Sequence, residues 1–113
     1  MSEFLYLYRG GESRAERTPA EAEATMKLWV SWLTDLGQKG HIKDPGQPLE
    51  VTGKVVSGKA KTITDGPYAE AKDLVGGYTI VEAKDLEQAA QLSGGCPILQ
   101  IGGAVEIRPV IKM

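Results

Sequence analysis

The chain has 113 residues, 42% of them hydrophobic and 25% charged, the balance of one globular domain over residues 1–113. With 13 basic and 15 acidic residues the net charge is −2, which argues against the basic face that nonspecific nucleic-acid binding needs. No apolar run approaches the ~18 residues of a membrane span, Met1-Ser2-Glu3 lacks the basic start of a signal peptide, and a lone cysteine, Cys96, points to a reducing cytoplasm.

Residues 4–8, Phe4-Leu5-Tyr6-Leu7-Tyr8, are apolar on both faces, as in a strand in the middle of a sheet. Gly10-Gly11 ends it, and a charged loop follows. Thr18 is then a good N-cap, Pro19 fits the first helical position, and Glu21 completes a capping box. Ala22, Met26, Trp29, Leu33 and Leu36 recur at helical spacing and define the inner face of a long helix. Leu28, Trp32 and Val30 broaden that face beyond what one sheet contact requires. Gly37 and Gly40 end the helix.

Residues 50–56 and 59–64 are rich in Val, Ile, Thr and Lys, and Ser57-Gly58 between them suits a tight hairpin turn. Lys54, Lys59 and Lys61 on this hairpin read as solvated edge protection. Asp65-Gly66-Pro67 reads as a turn, and residues 75–82 as a strand. Asp85 caps a second helix with Gln88 at its third position, and Gly94-Gly95 stops it. Residues 104–110 form the last strand, with Val105 and Ile107 on one face and Glu106 and Arg108 on the other. The order is the βαββαβ pattern of a ferredoxin-like α+β sandwich with a hairpin elaboration. Both helices then cover one sheet face, and a second subunit is the simplest cover for the other.

The run Asp65-Gly66-Pro67-Tyr68-Ala69-Glu70-Ala71-Lys72, leading into Leu74-Val75-Gly76-Gly77-Tyr78, resembles the DGPF branch of the YCII-related proteins. Cys96-Pro97 and the ending Gly103-Ala104-Val105-Glu106-Ile107-Arg108-Pro109-Val110 match that branch too, so the resemblance spans nearly the whole chain. It implies a dimeric α+β barrel of ferredoxin-like subunits. Members of the wider superfamily are thought to use a His–Asp pair, the His after Pro-Ala at the first helix and the Asp before a Pro after the second. Here those positions hold Glu21 and Cys96, so both members are replaced. The DGPF branch is also often linked with extracytoplasmic-function sigma factors, which by resemblance alone hints at a regulatory partner.

Several residues carry the candidate chemistry. Asp65 accepts backbone bonds at a turn start in one reading. In the other, Asp65, Glu70 and Lys72 form a polar loop rim able to orient a ligand or move a proton. His41, the only histidine, is either a helix-end cation or a third member of that site, with Asp65, Glu70 and His41 as the catalytic candidates. Tyr68, Lys72, Tyr78, Trp32 and Arg108 are the ligand-binding candidates. Trp32 stands at the flank of the broad helix face, where it would line a cleft or a subunit contact. Glu106 and Arg108 are candidates for a cross-strand ion pair, or for reaching into a cleft at the dimer. Cys96 is expected to be a packed small hydrophobe rather than a nucleophile. One His and one Cys are too few ligands for zinc, and no dinucleotide or phosphate-loop motif occurs, so no metal or cofactor is expected. The expected function is small-molecule binding, as a homodimer, in a binding or regulatory role. A cofactor-independent lyase, isomerase or hydrolase with Asp65 or Glu70 as base is the alternative.

Overall fold

A computed structural model describes residues 1–11, 17–67 and 73–113. The elements run β1 (Ser2–Gly10), α1 (Pro19–Gln38), β2 (Ile42–Asp44), β3 (Gly53–Ser57), β4 (Thr62–Gly66), β5 (Val75–Ala83) and α2 (Leu86–Ser93). A 3-10 turn (Pro97–Ile101) and β6 (Gly103–Pro109) complete the chain. Strands β2-β5-β1-β6 form one antiparallel sheet in that order, with β1 and β5 at its centre. This is the ferredoxin-like arrangement, and the apolar first strand is central as its sequence implies. Strands β3 and β4 pair only with each other.

Alternation along the central strands decides the two faces of the sheet. Phe4, Tyr6 and Tyr8 of β1 and Thr79, Val81 and Ala83 of β5 are buried under the helices. Tyr8 and Tyr6 lie opposite Val105 and Ile107 of β6, which pack against the same core. The other face carries Glu3, Leu5, Leu7 and Arg9 of β1, Tyr78, Ile80 and Glu82 of β5, and Glu106 and Arg108 of β6. No helix among the described residues covers it.

Helix α1 starts as its sequence predicts. Thr18 Oγ1 accepts from Glu21 N–H at 3.1 Å while Glu21 Oε1 accepts from Thr18 N–H at 3.4 Å, closing the capping box. Its inner face is turned from the expected one. Leu36 is buried, and Trp29 and Trp32 pack on the core, but Met26 is 62% exposed. The two indoles cause the turn, because they have the most apolar area to bury. Trp32 stacks on Tyr6 with ring centroids 6.2 Å apart, and Trp29 meets Tyr8 edge-on at 4.7 Å. Trp32 is therefore a half-buried member of the aromatic cluster that packs on the core. A Cβ at Gly95 would come within 3.1 Å of its ring, so the glycine after α2 makes room for it.

Helix α2 is capped by Asp85, which accepts from Gln88 N–H at 2.8 Å. Tyr6 donates its hydroxyl proton to Ala89 O, tying the sheet to α2 through the core. No helix among the described residues is long and apolar enough to cross a membrane.

The hairpin exists but turns differently from the expectation. Residues 58–61 make a four-residue turn, closed by Lys61 N–H donating to Gly58 O at 3.1 Å, instead of a two-residue turn at Ser57-Gly58. Gly58 and Lys61 both take left-handed backbone, with φ of 70° and 57°. Asp65 and Gly66 are consequently the last two residues of β4 rather than the start of a turn. The Gly66–Pro67 peptide is cis.

Candidate functional site

The root of the hairpin is laced to the sheet. Thr79 Oγ1 donates to Pro45 O at 2.9 Å and itself accepts from Tyr8 O–H at 2.6 Å. Asp44 Oδ1 accepts from Gly46 N–H at 2.8 Å, Pro48 bridges Gly77, and Leu49 N–H donates to Gly76 O at 2.8 Å. Gly46 has a φ of 74°, and a Cβ there would sit 1.7 Å from Tyr78 O, so only glycine fits this approach. The chain thus follows the edge of β5 from Val81 to Gly76 and leaves it from a fixed point as the hairpin begins.

At the base of the hairpin lies an open groove of about 500 Å³, lined by Val51, Thr52, Gly53, Lys54, Asp65 and Gly66. Gly53 and Gly66 are directly paired and form its floor, since a Cβ at Gly66 would approach the Gly53 carbonyl carbon at 3.2 Å. Lys54 and Asp65 are also paired across the hairpin, and Lys54 Nζ lies 2.5 Å from Asp65 Oδ1. Their side chains are 69% and 87% exposed, so this pair adds little stability and stays available to a ligand. The sequence marks Lys54 only as edge protection. Its link to Asp65 becomes visible once the length of the turn is known.

The other candidates fall in separate places. Tyr68, Glu70 and Lys72 lie outside the described residues. His41 stands at the opposite end of β5 from the hairpin root, where Glu82 N–H donates to His41 O and the ring Nδ1 lies 2.8 Å from Glu82 O. Its own N–H closes the end of α1 by donating to Leu36 O at 2.9 Å. Along β5, Gly76 and Glu82 are roughly 20 Å apart. No hydrogen bond or ion pair joins His41 to Asp65 among the described residues.

Tyr78 lies opposite Leu7 on the open face of the sheet, and Arg108 opposite Leu5. The expected Glu106–Arg108 pair does not form. Glu106 Oε1 accepts instead from Arg9 Nε at 2.6 Å, and Arg9 Nη1 also donates to Asp73 O at 2.6 Å. Residues two apart on one strand lie along it, whereas Arg9 comes from the adjacent β1 and reaches across.

Cys96 caps the 3-10 turn, a position that lowers a thiol pKa when solvent reaches it. Here it is 1% exposed, and desolvation pushes its pKa up to about 12 against a smaller opposing backbone hydrogen bond from Ile98. The thiol is thus protonated and packed, as expected. Burial, aided by the neighbouring Cys96, likewise raises Tyr6 to about 12. No group of three or more His, Cys, Asp or Glu side chains able to hold a metal occurs among the described residues.

No curated protein matches the chain. A solved structure, the 5-chloro-2-hydroxyhydroquinone dehydrochlorinase TftG of Burkholderia phenoliruptrix AC1100 with 2,5-dihydroxybenzoquinone, is similar over 98% of this chain and 95% of its own. The identity is 18% and the TM-score 0.47. The model of the YCII-related domain matches residues 4–113, and the chain therefore belongs to the YCII-related family.

Proposed function

We propose that this YCII-related protein is a homodimer that binds a small polar molecule at the base of the β3–β4 hairpin, in a binding or regulatory role. The observation that carries this reading is the groove in which Lys54 and Asp65 present a cation and an anion side by side above a glycine floor. A ligand with both a donor and an acceptor, such as a zwitterion or a hydroxylated acid, matches that pair. The two positions where the resemblance places the superfamily's His–Asp pair support binding over turnover. Glu21 is used in the capping box and Cys96 is a buried, protonated thiol. Asp65 lies open to solvent, without the enclosed cleft in which a carboxylate serves as a base. The uncovered sheet face, with Leu5, Leu7, Tyr78 and Ile80 at its centre, supports the dimer.

The test is thermal shift with a panel of zwitterionic amino acids and hydroxylated aromatic acids. At least one member is expected to raise the melting temperature of the wild type, and Lys54→Met and Asp65→Asn are expected to abolish that response. A wild-type response in both variants would remove the groove from consideration.

A further inference from the structure

The hairpin sorts its side chains onto two unlike faces. Register sets Lys54 opposite Asp65 and Val56 opposite Ile63, and alternation puts both pairs on one face, about 7 Å apart along the strands. Gly53, Val55 and Ser57, opposite Gly66, Thr64 and Thr62, take the other face. Val55 there is half-buried, whereas Val56 and Ile63 are 62% and 66% exposed. Threonine suits an exposed strand as well as valine or isoleucine does, and Thr62 and Thr64 fill exposed positions on the other face. The more apolar pair thus lies in water, directly beside the Lys54–Asp65 ion pair of the groove.

We propose that the ligand of the groove is amphipathic, with a polar head on Lys54 and Asp65 and an unbranched apolar arm laid along Val56 and Ile63. This deepens, and rests on, the groove reading above. The two pairs divide the work of binding. Exposed charges gain little from contact with a ligand, because water competes for each of them, so the ion pair orients the head without holding it tightly. Affinity comes from apolar area taken out of water, and on this face the apolar area lies toward the hairpin tip. The opposite charges of Lys54 and Asp65 match the head, and the spacing of about 7 Å along the strand matches an arm of the length of a butyl chain.

The experiment is a titration of the isotope-labelled full chain, followed by amide NMR shifts. The probes are glycine, norvaline and norleucine, and glycolate, α-hydroxyvalerate and α-hydroxycaproate. In the series that binds, affinity is expected to rise about twofold or more per methylene, since the hairpin covers one side of the arm. The longest member is expected to shift the amides of Val56 and Ile63, and the shortest only those around Lys54 and Asp65. Val56→Thr combined with Ile63→Thr is expected to flatten the rise and leave binding of the shortest member unchanged. Both positions are exposed and threonine keeps the strand propensity, so this variant retains the fold. A flat series in the wild type would overturn the amphipathic ligand and leave the groove standing. So would a rise that survives in the double variant, which would route the arm toward Val51 or assign the apolar pair to a second copy. Binding of no member of either series, or affinities unchanged by Lys54→Met, would overturn the groove reading and this inference with it.

Discussion

At the scale of single residues, burial sets the chemistry of Cys96 and glycine sets the route of the chain. Cys96 keeps its proton because its site excludes the water a thiolate needs, and its pKa rises from the ordinary 9.0 to about 12. The consequence for stability has a definite sign. Between pH 9 and 12 the unfolded thiol loses its proton while the folded one retains it, so the unfolded state binds fewer protons and stability falls as pH rises. Urea midpoints are expected to drop across that window, and Cys96→Ala to flatten part of the drop. A profile unchanged by the substitution would count against a buried thiol. Native Cys96 is also expected to react slowly with a thiol reagent, and fast labelling would reopen a nucleophilic role. Two glycines with positive φ offer a second comparison. Gly40→Ala meets open space at a φ of 80° and should cost about 1 kcal/mol. Gly46→Ala drives a Cβ into Tyr78 O and should cost more than about 2 kcal/mol. Equal melting temperatures for the two variants would refute the close approach at Gly46.

Among the elements, α1 and the hairpin depart from their periodicity for different reasons. The helical repeat permits several apolar faces around Trp29, and the packing of two indoles on Tyr6 and Tyr8 selects one of them. Met26 is left outside, so Met26→Lys should change stability by no more than about 0.5 kcal/mol. Trp29→Ala, which empties part of the aromatic core, should cost about 3–5 kcal/mol. Thermal melts of the two variants check the orientation, and the opposite ranking would restore the face centred on Met26. In the hairpin, a two-residue turn at 57–58 would have set Lys54 opposite Lys61, two like charges facing each other. The four-residue turn shifts the pairing so that Lys54 meets Asp65 and Val56 meets Ile63. That register places both groove charges on one face and leaves a lysine in left-handed backbone at the tip.

The whole molecule is wider than a compact chain of its length. Its radius of gyration is 15.5 Å, against about 13 Å expected for 113 residues, and the extents are 45 × 43 × 18 Å. One layer of helices on one sheet accounts for the thin dimension, and the hairpin, paired only with itself, adds to the breadth. Such a shape exposes much apolar surface for its size. Ile80→Asp is expected to turn a dimer into monomers, because it places a charge at the centre of the uncovered face. Light scattering checks this, and a dimer that tolerates the substitution would move the subunit interface elsewhere.

Much of this was legible in the sequence. The two helices, the first, central and last strands and the hairpin between them, the Thr18 capping box, the Asp85 cap, the two faces of β6 and the packed Cys96 follow from local rules of spacing, capping and alternation, whereas the short edge strand β2 and the 3-10 turn carry no such signal. The candidate site was legible only in part. Asp65 was visible as a loop-motif acid, but its partner Lys54, the glycine floor and the replacement of Arg108 by Arg9 beside Glu106 depend on strand register. Register follows from the turn and from what packs on each face, neither of which a single strand specifies. His41 and Asp65 both follow strand or helix ends in the sequence, and only the run of residues 42–49 along β5 assigns them to different ends of the sheet. Local sequence therefore determined most of the elements and where both helices begin. Tertiary structure decided which side chains meet, because that depends on the competition of large aromatic groups for one core and on pairing between strands far apart in the chain.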